Sequence, residues 1–375
     1  MHRRKYVLGA RKRWRCLSSL VERIPVSERG FAAAEIELDM AMQTHPHAGH
    51  DVVVIGGSMG AAEPLRTILA DMPTEVPAAF FVILHMAARS SGILRTVTSA
   101  ISHLPVHVAE DGMAFQHGHV YLAVPDHHLL LTAKGLIRLG TGPRENMSRP
   151  AIDALFRSAA AAAGPRVIGV LLSGLLSDGV AGLDAIKRCG GLAMVQDPID
   201  ATASSMPRSA LQTIAVDRIA PAALLGGALC ELIAQPAGAA APVPGEILTE
   251  VAIAAGAHTD VDLTARVSSP SPLTCPSCGG VLSTVNDEGP LRYRCQIGHG
   301  MTADVLESQQ RKALHRALAV ALRTIEERVA LVKRMAADHR ANDRLVAAES
   351  YDGRAEEYGK HIEVLRHAIA SSTED

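Results

Sequence analysis

An α/β fold with a doubly wound, mainly parallel sheet in three layers is what this 375-residue chain predicts, and three observations predict it. Short apolar runs rich in β-branched residues alternate with helix-like stretches from Asp51 to about Gln235. The runs are apolar on both alternating faces, which is how strands covered by helices on both sides read. The first run ends in Ile55-Gly56-Gly57-Ser58-Met59-Gly60 and passes directly into a helical pattern, a strand, a sharp turn and a helix.

Taken in order, Asp51–Gly56, Phe80–Leu84, Val167–Leu172 and Leu192–Gln196 read as buried strands. Ala61–Ala70, Ser90–Ser102, Arg149–Ala163, Gly179–Cys189 and Ser205–Thr213 read as the helices around them. His119–Val124, His128–Ala133 and Leu136–Leu139 are shorter strands. Lys134-Gly135 joins the last two as a hairpin turn, an antiparallel addition to the sheet. Residues 1–50 form a basic leader with no hydrophobic signal core, read as disordered, and Met40 or Met42 is an alternative start. Residues 51–235 hold this α/β domain. Residues 236–272, rich in Ala, Pro and Gly, read as a linker with a short helix near Ile247–Ala255. A cysteine module follows at 273–302 and a helical tail at 303–375, where Leu306, Leu314, Leu318, Leu322, Ile325, Val329 and Val332 recur at three- or four-residue spacing. With a second amphipathic stretch at Ala355–Ala370, the tail reads as a helical hairpin or a helix pair that binds a protein partner.

Composition narrows the function. A net charge of −2 gives no bias toward nucleic acid or membrane, and 3% aromatics leave few rings for stacking on bases. No apolar window is long enough to span a bilayer, since the Thr249–Ala257 run is short and carries Glu250. Of six cysteines, Cys275, Cys278 and Cys295 cluster while Cys16, Cys189 and Cys230 are scattered, which suggests a reducing, cytoplasmic setting rather than a disulfide scaffold.

The chemistry centres on Ser58. Gly-x-Ser-x-Gly between a strand and a helix suits a nucleophile elbow, in which small neighbours permit the bend and the helix start offers free N–H groups. The competing reading is a glycine-rich turn for a phosphate or dinucleotide, though Gly-x-Gly-x-x-Gly is absent. Ligands of parallel sheets bind beyond the carboxyl ends of the strands. His85 and Asp178 follow two further strands on that same rim, where a serine hydrolase needs a base and an orienting carboxylate. Taken singly, His85 reads more readily as a strand-end histidine and Asp178 as the N-cap of the next helix.

Ordered motifs extend the pattern: Ile83-Leu84-His85-Met86, Val120-Tyr121-Leu122-Ala123-Val124-Pro125, Arg149-Pro150-Ala151-Ile152-Asp153, Leu172-Ser173-Gly174 with Ser177-Asp178-Gly179, and Gln196-Asp197-Pro198 with Met206-Pro207-Arg208. With them, Asp51–Leu232 resembles the catalytic domain of the CheB-type chemotaxis receptor methylesterases. The resemblance implies Ser58 as nucleophile, His85 as general base and Asp178 as its orienting carboxylate. It implies hydrolysis of glutamate methyl esters, with glutamine deamidation in some relatives, on a methyl-accepting chemoreceptor or receptor-like protein. The Met59 N–H is expected at the oxyanion, and Arg149, Met206 and Arg208 along the site or on the substrate. Three positions depart from the family pattern: Met59 stands for Thr or Ala, Leu176 for glycine and Ser205 for glycine. Leu176 is expected to narrow the groove or shift its loop. The receiver domain usual in the family does not fit into the residues before Asp51, so phosphorylation of this chain is not expected to control it.

Cys275-Pro276-Ser277-Cys278 and Cys295-Gln296-Ile297-Gly298-His299 supply three thiolates and an imidazole, the donor set of a closed structural Zn2+ site. The alternatives are a metal-free thiol cluster or a redox pair. The leading expectation is thus a cytoplasmic serine methylesterase with no catalytic cofactor. A catalytically weak esterase fold that docks partners through the zinc module and terminal helices is the alternative, and a nucleotide-binding domain the third.

Overall fold

The computed structural model describes residues 49–85, 96, 98–257, 268–285 and 289–372. Nearly all of the basic leader, Met86, and most of the helix expected over Ser90–Ser102 lie outside the described residues. Seven strands form one sheet: β1 (Val52–Gly57), β2 (Ala79–Leu84), β3 (Val106–Val108), β4 (Val120–Leu122), β7 (Val167–Leu171), β8 (Leu192–Gln196) and β9 (Arg218–Ala220). Their order is β3-β4-β2-β1-β7-β8-β9 and every pairing is parallel.

Alternate residues of β1 separate the two cores. Val53 and Ile55 pack with Phe80 and Val82 against α1 (Ala62–Asp71) and α5 (Leu225–Ile233). Val52 and Val54 pack with Phe81 and Ile83 against α2 (Ile152–Ala163), α3 (Val180–Arg188) and α4 (Ser205–Thr213) on the other face. The continuous apolar runs therefore mean what they mean in any doubly wound fold, with each fully buried Val, Ile or Phe contributing about 1.5–3 kcal/mol. Gly56 lets α2 lie close on the sheet, because a Cβ there would sit 2.2 Å from Ile152 Cγ2.

One expectation needs correction. The hairpin β5 (His128–Leu131) and β6 (Ile137–Gly140), with its turn through Lys134-Gly135, is not an addition to the parallel sheet but a separate two-stranded one. Leu129, Leu130 and Leu131 are all buried there, packed with residues of α2 and of α6 (Gly245–Ala255), which holds the hairpin away from a sheet edge. The segment read as a linker carries the expected short helix, α6, which packs on α2 and buries Ile247, Glu250 and Val251. The short edge strands β3 and β9 were not anticipated, since three residues carry too little periodicity to read.

The cysteine module is a four-stranded antiparallel sheet: β10 (Ser268–Thr274), β11 (Val281–Val285), β12 (Arg292–Cys295) and β13 (Gly300–Thr302). Thr302 then caps α7 (Ala303–Ala341), accepting from the Val305 N–H, and α8 (Leu345–Ser371) returns along it as the expected helical hairpin. The side chains turned into that seam include Val332, Ala336, Ala348, Ala355 and Ile362. Among the described residues no helix is long and apolar enough to cross a membrane.

Candidate active site and metal cluster

Adjacent parallel strands bring Ser58 and His85 together on one rim. β1 and β2 pair in register to Gly57 and Leu84, so the next residue of each strand is Ser58 and His85, and the His85 N–H still bonds the Gly57 carbonyl (3.0 Å). Ser58 is half-buried, and its N–H donates to the Ser173 carbonyl at 2.9 Å. The turn closes by an Ala61 N–H to Ser58 carbonyl bond of 3.1 Å. The left-handed residue in it is Gly60 (φ 79°), not the serine. A side chain at Gly60 would strike Thr202 Cβ at 2.5 Å and Ser173 Oγ at 2.8 Å. Gly57 is needed as well, since a Cβ there would lie 2.4 Å from Ala61 Cβ across the same bend.

Asp178 arrives from the loop between β7 and α3. Its Oδ2 is 3.1 Å from His85 Nε2. The same carboxylate accepts the Ile152 N–H at 2.8 Å and the Asp153 N–H at 3.2 Å. Asp178 thus caps the first turn of α2 instead of its own helix α3, whose N-cap is Gly179. The positive end of α2 is accordingly turned on a buried negative charge. Among the described residues Ser58 Oγ makes no hydrogen bond to His85, a contact that often tightens only with substrate.

The electrostatics follow the contacts. Burial alone would lower the His85 pKa, but the Asp178 carboxylate, with help from the Pro150 carbonyl, holds it above the ordinary histidine value. Burial would raise Asp178, yet His85, the Ile152 N–H and the Asn146 amide keep it below the usual carboxylate range. A second buried acid, Asp153, stands behind it and is pushed up to about 7 by burial and by the charge on Asp178. Its Oδ1 accepts the N–H groups of Gly179 (3.0 Å) and Gly182 (2.6 Å).

The remaining expected site residues differ in their surroundings. Met59 is more than half exposed at the helix start, and its N–H donates to no backbone carbonyl among the described residues. Met206 is fully buried, with its thioether so close beneath Gly174 that a Cβ there would lie 2.7 Å from the sulfur and 3.1 Å from Ser58 Cβ. It supports the floor beside the serine. Arg149 turns to Asp126 (2.8 Å) and to the carbonyls of Thr141 and Gly142 (3.0 and 2.8 Å), so its guanidinium braces the hairpin. Arg208 is exposed on α4. Leu176 takes a left-handed φ of 62°, and its side chain packs against the apolar cluster of the cysteine module with Leu282, Met301, Val305 and Leu306.

The four expected ligands converge. One donor atom from each of Cys275, Cys278, Cys295 and His299 lies within 4.8 Å of the others. The separations are 3.7 Å for Cys278 Sγ to Cys295 Sγ, and 3.6 Å and 3.8 Å for His299 Nδ1 to Cys295 and Cys275. A tetrahedron with Zn–S near 2.3 Å and Zn–N near 2.0–2.1 Å has edges of about 3.8 Å between sulfurs and about 3.6 Å from sulfur to nitrogen. The donor set and the spacing therefore fit a tetrahedral metal ion. Each knuckle closes on its own backbone, Gly279 N–H to Cys275 carbonyl and Gly298 N–H to Cys295 carbonyl, both 2.8 Å.

Sequence reading missed the seam that joins the module to the site. Asn146 bridges the two buried acids through one amide nitrogen (2.7 Å to Asp153, 2.8 Å to Asp178) and accepts the Thr302 N–H on its oxygen (3.0 Å). Deeper in the same seam, Glu145 and Glu250 face Arg157, Arg292 and Arg294, all five buried. Arg292 and Arg294 alternate on β12 and so share a face, a period-two signal that was present in the sequence.

The comparisons with known proteins bear on the first of these sites. The family profile described as CheB methylesterase matches residues 53–229. A putative protein-glutamate methylesterase/protein-glutamine glutaminase of Leptospira interrogans is 38% identical over 170 residues, which are 45% of this chain and 88% of the relative. A protein-glutamate methylesterase/protein-glutamine glutaminase of Bordetella pertussis is 35% identical over 199 residues, 52% of this chain and 57% of the relative. The crystal structure of the Thermotoga maritima CheB methylesterase catalytic domain aligns at 32% identity and a TM-score of 0.47, over 49% of this chain and 98% of that one. The metal cluster and the helical hairpin lie outside the matched family segment.

Proposed function

Because the chain belongs to the CheB methylesterase family, we propose that it hydrolyses glutamate methyl esters on chemoreceptor-type signalling proteins, with Ser58, His85 and Asp178 as its triad. The observation that carries the assignment is the rim itself: Ser58 and His85 in register at the ends of β1 and β2, with the Asp178 carboxylate 3.1 Å from the imidazole.

Asp178 occupies the Nε2 side of His85, which leaves Nδ1 to take the serine proton. Ser58 Oγ attacks the ester carbonyl as that proton moves to His85. The tetrahedral intermediate collapses when His85 returns the proton to the methoxy oxygen and methanol departs. Water then attacks the acyl-enzyme by the same route and releases the free glutamate. With glutamine, ammonia leaves in place of methanol. The Met59 N–H, unpaired with any carbonyl among the described residues, supports an oxyanion role worth about 2.7–4 kcal/mol per donor. Asp178 stays ionised through the cycle, held by α2, and stabilises the imidazolium formed at each transfer.

The Cys3His cluster fits structural Zn2+, which would supply much of the folding free energy of so small a sheet. We place the protein in the reducing cytoplasm, with which described cysteines outside any disulfide are compatible. The hairpin of α7 and α8 is a surface for a protein partner.

Methanol release from a methylated receptor cytoplasmic fragment, with wild type against Ser58→Ala, is the decisive measurement. Release that disappears in a folded variant supports the esterase and its nucleophile. No release from metal-loaded wild type across several receptors would shift the reading to a docking module.

A further inference from the structure

The module does not simply follow the catalytic domain; it reaches the acid of the proposed triad. The loop 145–148 is held in a backbone form that side chains rarely adopt, with Asn146 at φ 48° and Met147 at φ 65°. Left-handed φ is tolerable for Asn, whereas for Met it costs about 1–2 kcal/mol. The cysteine module supplies what holds the loop there. The Asn146 N–H donates to the Gly300 carbonyl at 2.8 Å, and its side-chain oxygen accepts the Thr302 N–H. Met147 packs against the module's apolar cluster, with Ser277 Oγ 3.4 Å from its sulfur. On the opposite side of the acid, Ser177 Oγ bonds Thr302 Oγ1 at 2.7 Å, and Leu176 enters the same cluster.

Gly300 and Thr302 thus fix an amide whose nitrogen has two carboxylate acceptors, Asp178 Oδ1 and Asp153 Oδ2. Two carboxylates so close repel each other, and a shared donor between them offsets that repulsion while fixing both orientations. We propose that Asn146 is a positioning residue for the triad acid, and that the docked Cys3His module, through Gly300 and Thr302, is the support that keeps it in place. The inference rests on the reading of Asp178 as the triad acid, and it makes the module part of the catalytic machinery's scaffold.

The test uses the full chain, metal-loaded, and reads Ser58 directly by its rate of labelling with a fluorophosphonate across pH. The variants are Asn146→Ala and Asn146→Gly. Glycine accepts the left-handed backbone without strain, so it removes the amide alone. Both variants should label about 10- to 100-fold more slowly while keeping their metal, with Asn146→Gly melting near wild type and Asn146→Ala lower because of its left-handed φ. The pH limb set by His85 should move down in both, because the imidazole loses the fixed Asp178 carboxylate, with Asp153, Glu145 and Arg157 the charges behind it. Stripping the metal from wild type with a chelator should reproduce the slow labelling and the shifted limb.

Wild-type labelling and an unmoved limb in Asn146→Gly would overturn the positioning role. Slow labelling in Asn146→Ala alone would overturn it too, by assigning the effect to the backbone. Unchanged labelling in the metal-free chain would overturn the module's part. A wild type that takes no label at Ser58 would instead remove the esterase reading, and this inference with it.

Discussion

Replacing Glu250 by alanine should loosen the module from the catalytic domain, and the size of the effect follows from the buried charges. Glu250 Oε2 lies 2.6 Å from Arg292 and 3.2 Å from Arg157, and its Oε1 lies 3.0 Å from Arg294. Glu145 is the other carboxylate of the group, paired with Arg157 and, at 3.3 Å, with Arg294. Three arginines against two glutamates leave one net positive charge; removing Glu250 makes it two. Such pairs add little net stability when whole, but breaking one from a single side costs about 3–5 kcal/mol because the remaining charge stays buried. Against domain stabilities of about 5–15 kcal/mol that is a large fraction. Hydrogen exchange of β12 and β13, with urea unfolding followed by circular dichroism, should show the loss at neutral pH, and Glu250→Gln should lose less. Both glutamates are charged in the fold against the pull of burial, because the facing guanidiniums hold them below the usual carboxylate range. Their contribution is therefore complete above the unfolded carboxylate value, about 4.3, and is lost as pH falls through the folded values. The gap between wild type and Glu250→Ala should stay constant near neutrality and close only in strong acid. A neutral-pH cost under about 1 kcal/mol with unchanged exchange of β12 and β13 would refute the reasoning and leave docking to the apolar cluster alone.

Three further outcomes are expected. Gly60→Ala forces a Cβ to within 2.5 Å of Thr202 Cβ at a φ of 79°, so it should destabilise by about 1–3 kcal/mol in thermal unfolding and slow fluorophosphonate labelling of Ser58. The working base is neutral imidazole, and Asp178 holds the His85 pKa above 6.5, so kcat/KM should rise with pH through a limb lying above that value; a limb below it would contradict the paired geometry. Leu176→Gly removes about 1–2 kcal/mol of left-handed strain together with a partly buried side chain worth a similar amount, so unfolding free energy should change little while exchange at β13 speeds up.

The layered fold was legible because its signal is repetitive. Val52–Gly57 and Ala79–Leu84 are buried at every position, and no half-exposed strand reads that way. The Cys3His ligands were legible because knuckle spacing is local in sequence. The Ser58, His85 and Asp178 rim could be read from the rule that parallel strands present their carboxyl ends on one edge. Asn146 could not, since it belongs to a loop whose meaning comes from Thr302, 156 residues away. Glu250 was read as a charge interrupting an apolar run in a linker; two of its three arginine partners follow 42 and 44 residues later. Arg149 and Met206 illustrate a different limit. The motifs singled them out, but whether a side chain turns to solvent or into the core depends on packing that no motif encodes.

Leu176 carries the argument that the two halves of the molecule are fitted to each other. Where the family pattern has glycine, a left-handed φ of 62° is free; with leucine it is strained, so something must repay it. The repayment comes from outside the catalytic domain, through burial of the side chain with Met301, Val305 and Leu306. Ser205, the second departure from a family glycine, is bound to the first: its Oγ accepts the Leu176 N–H at 2.9 Å and reaches the Gly174 carbonyl at 3.3 Å. Two substitutions that look damaging to an acid loop when read alone are thus one contact pair facing a docked sheet. An isolated catalytic domain with Leu176 and Ser205 would retain the strain and lose the packing that offsets it. The same loop ends at Asp178, so the place where this chain departs from the family pattern is also where the module bears on the proposed triad.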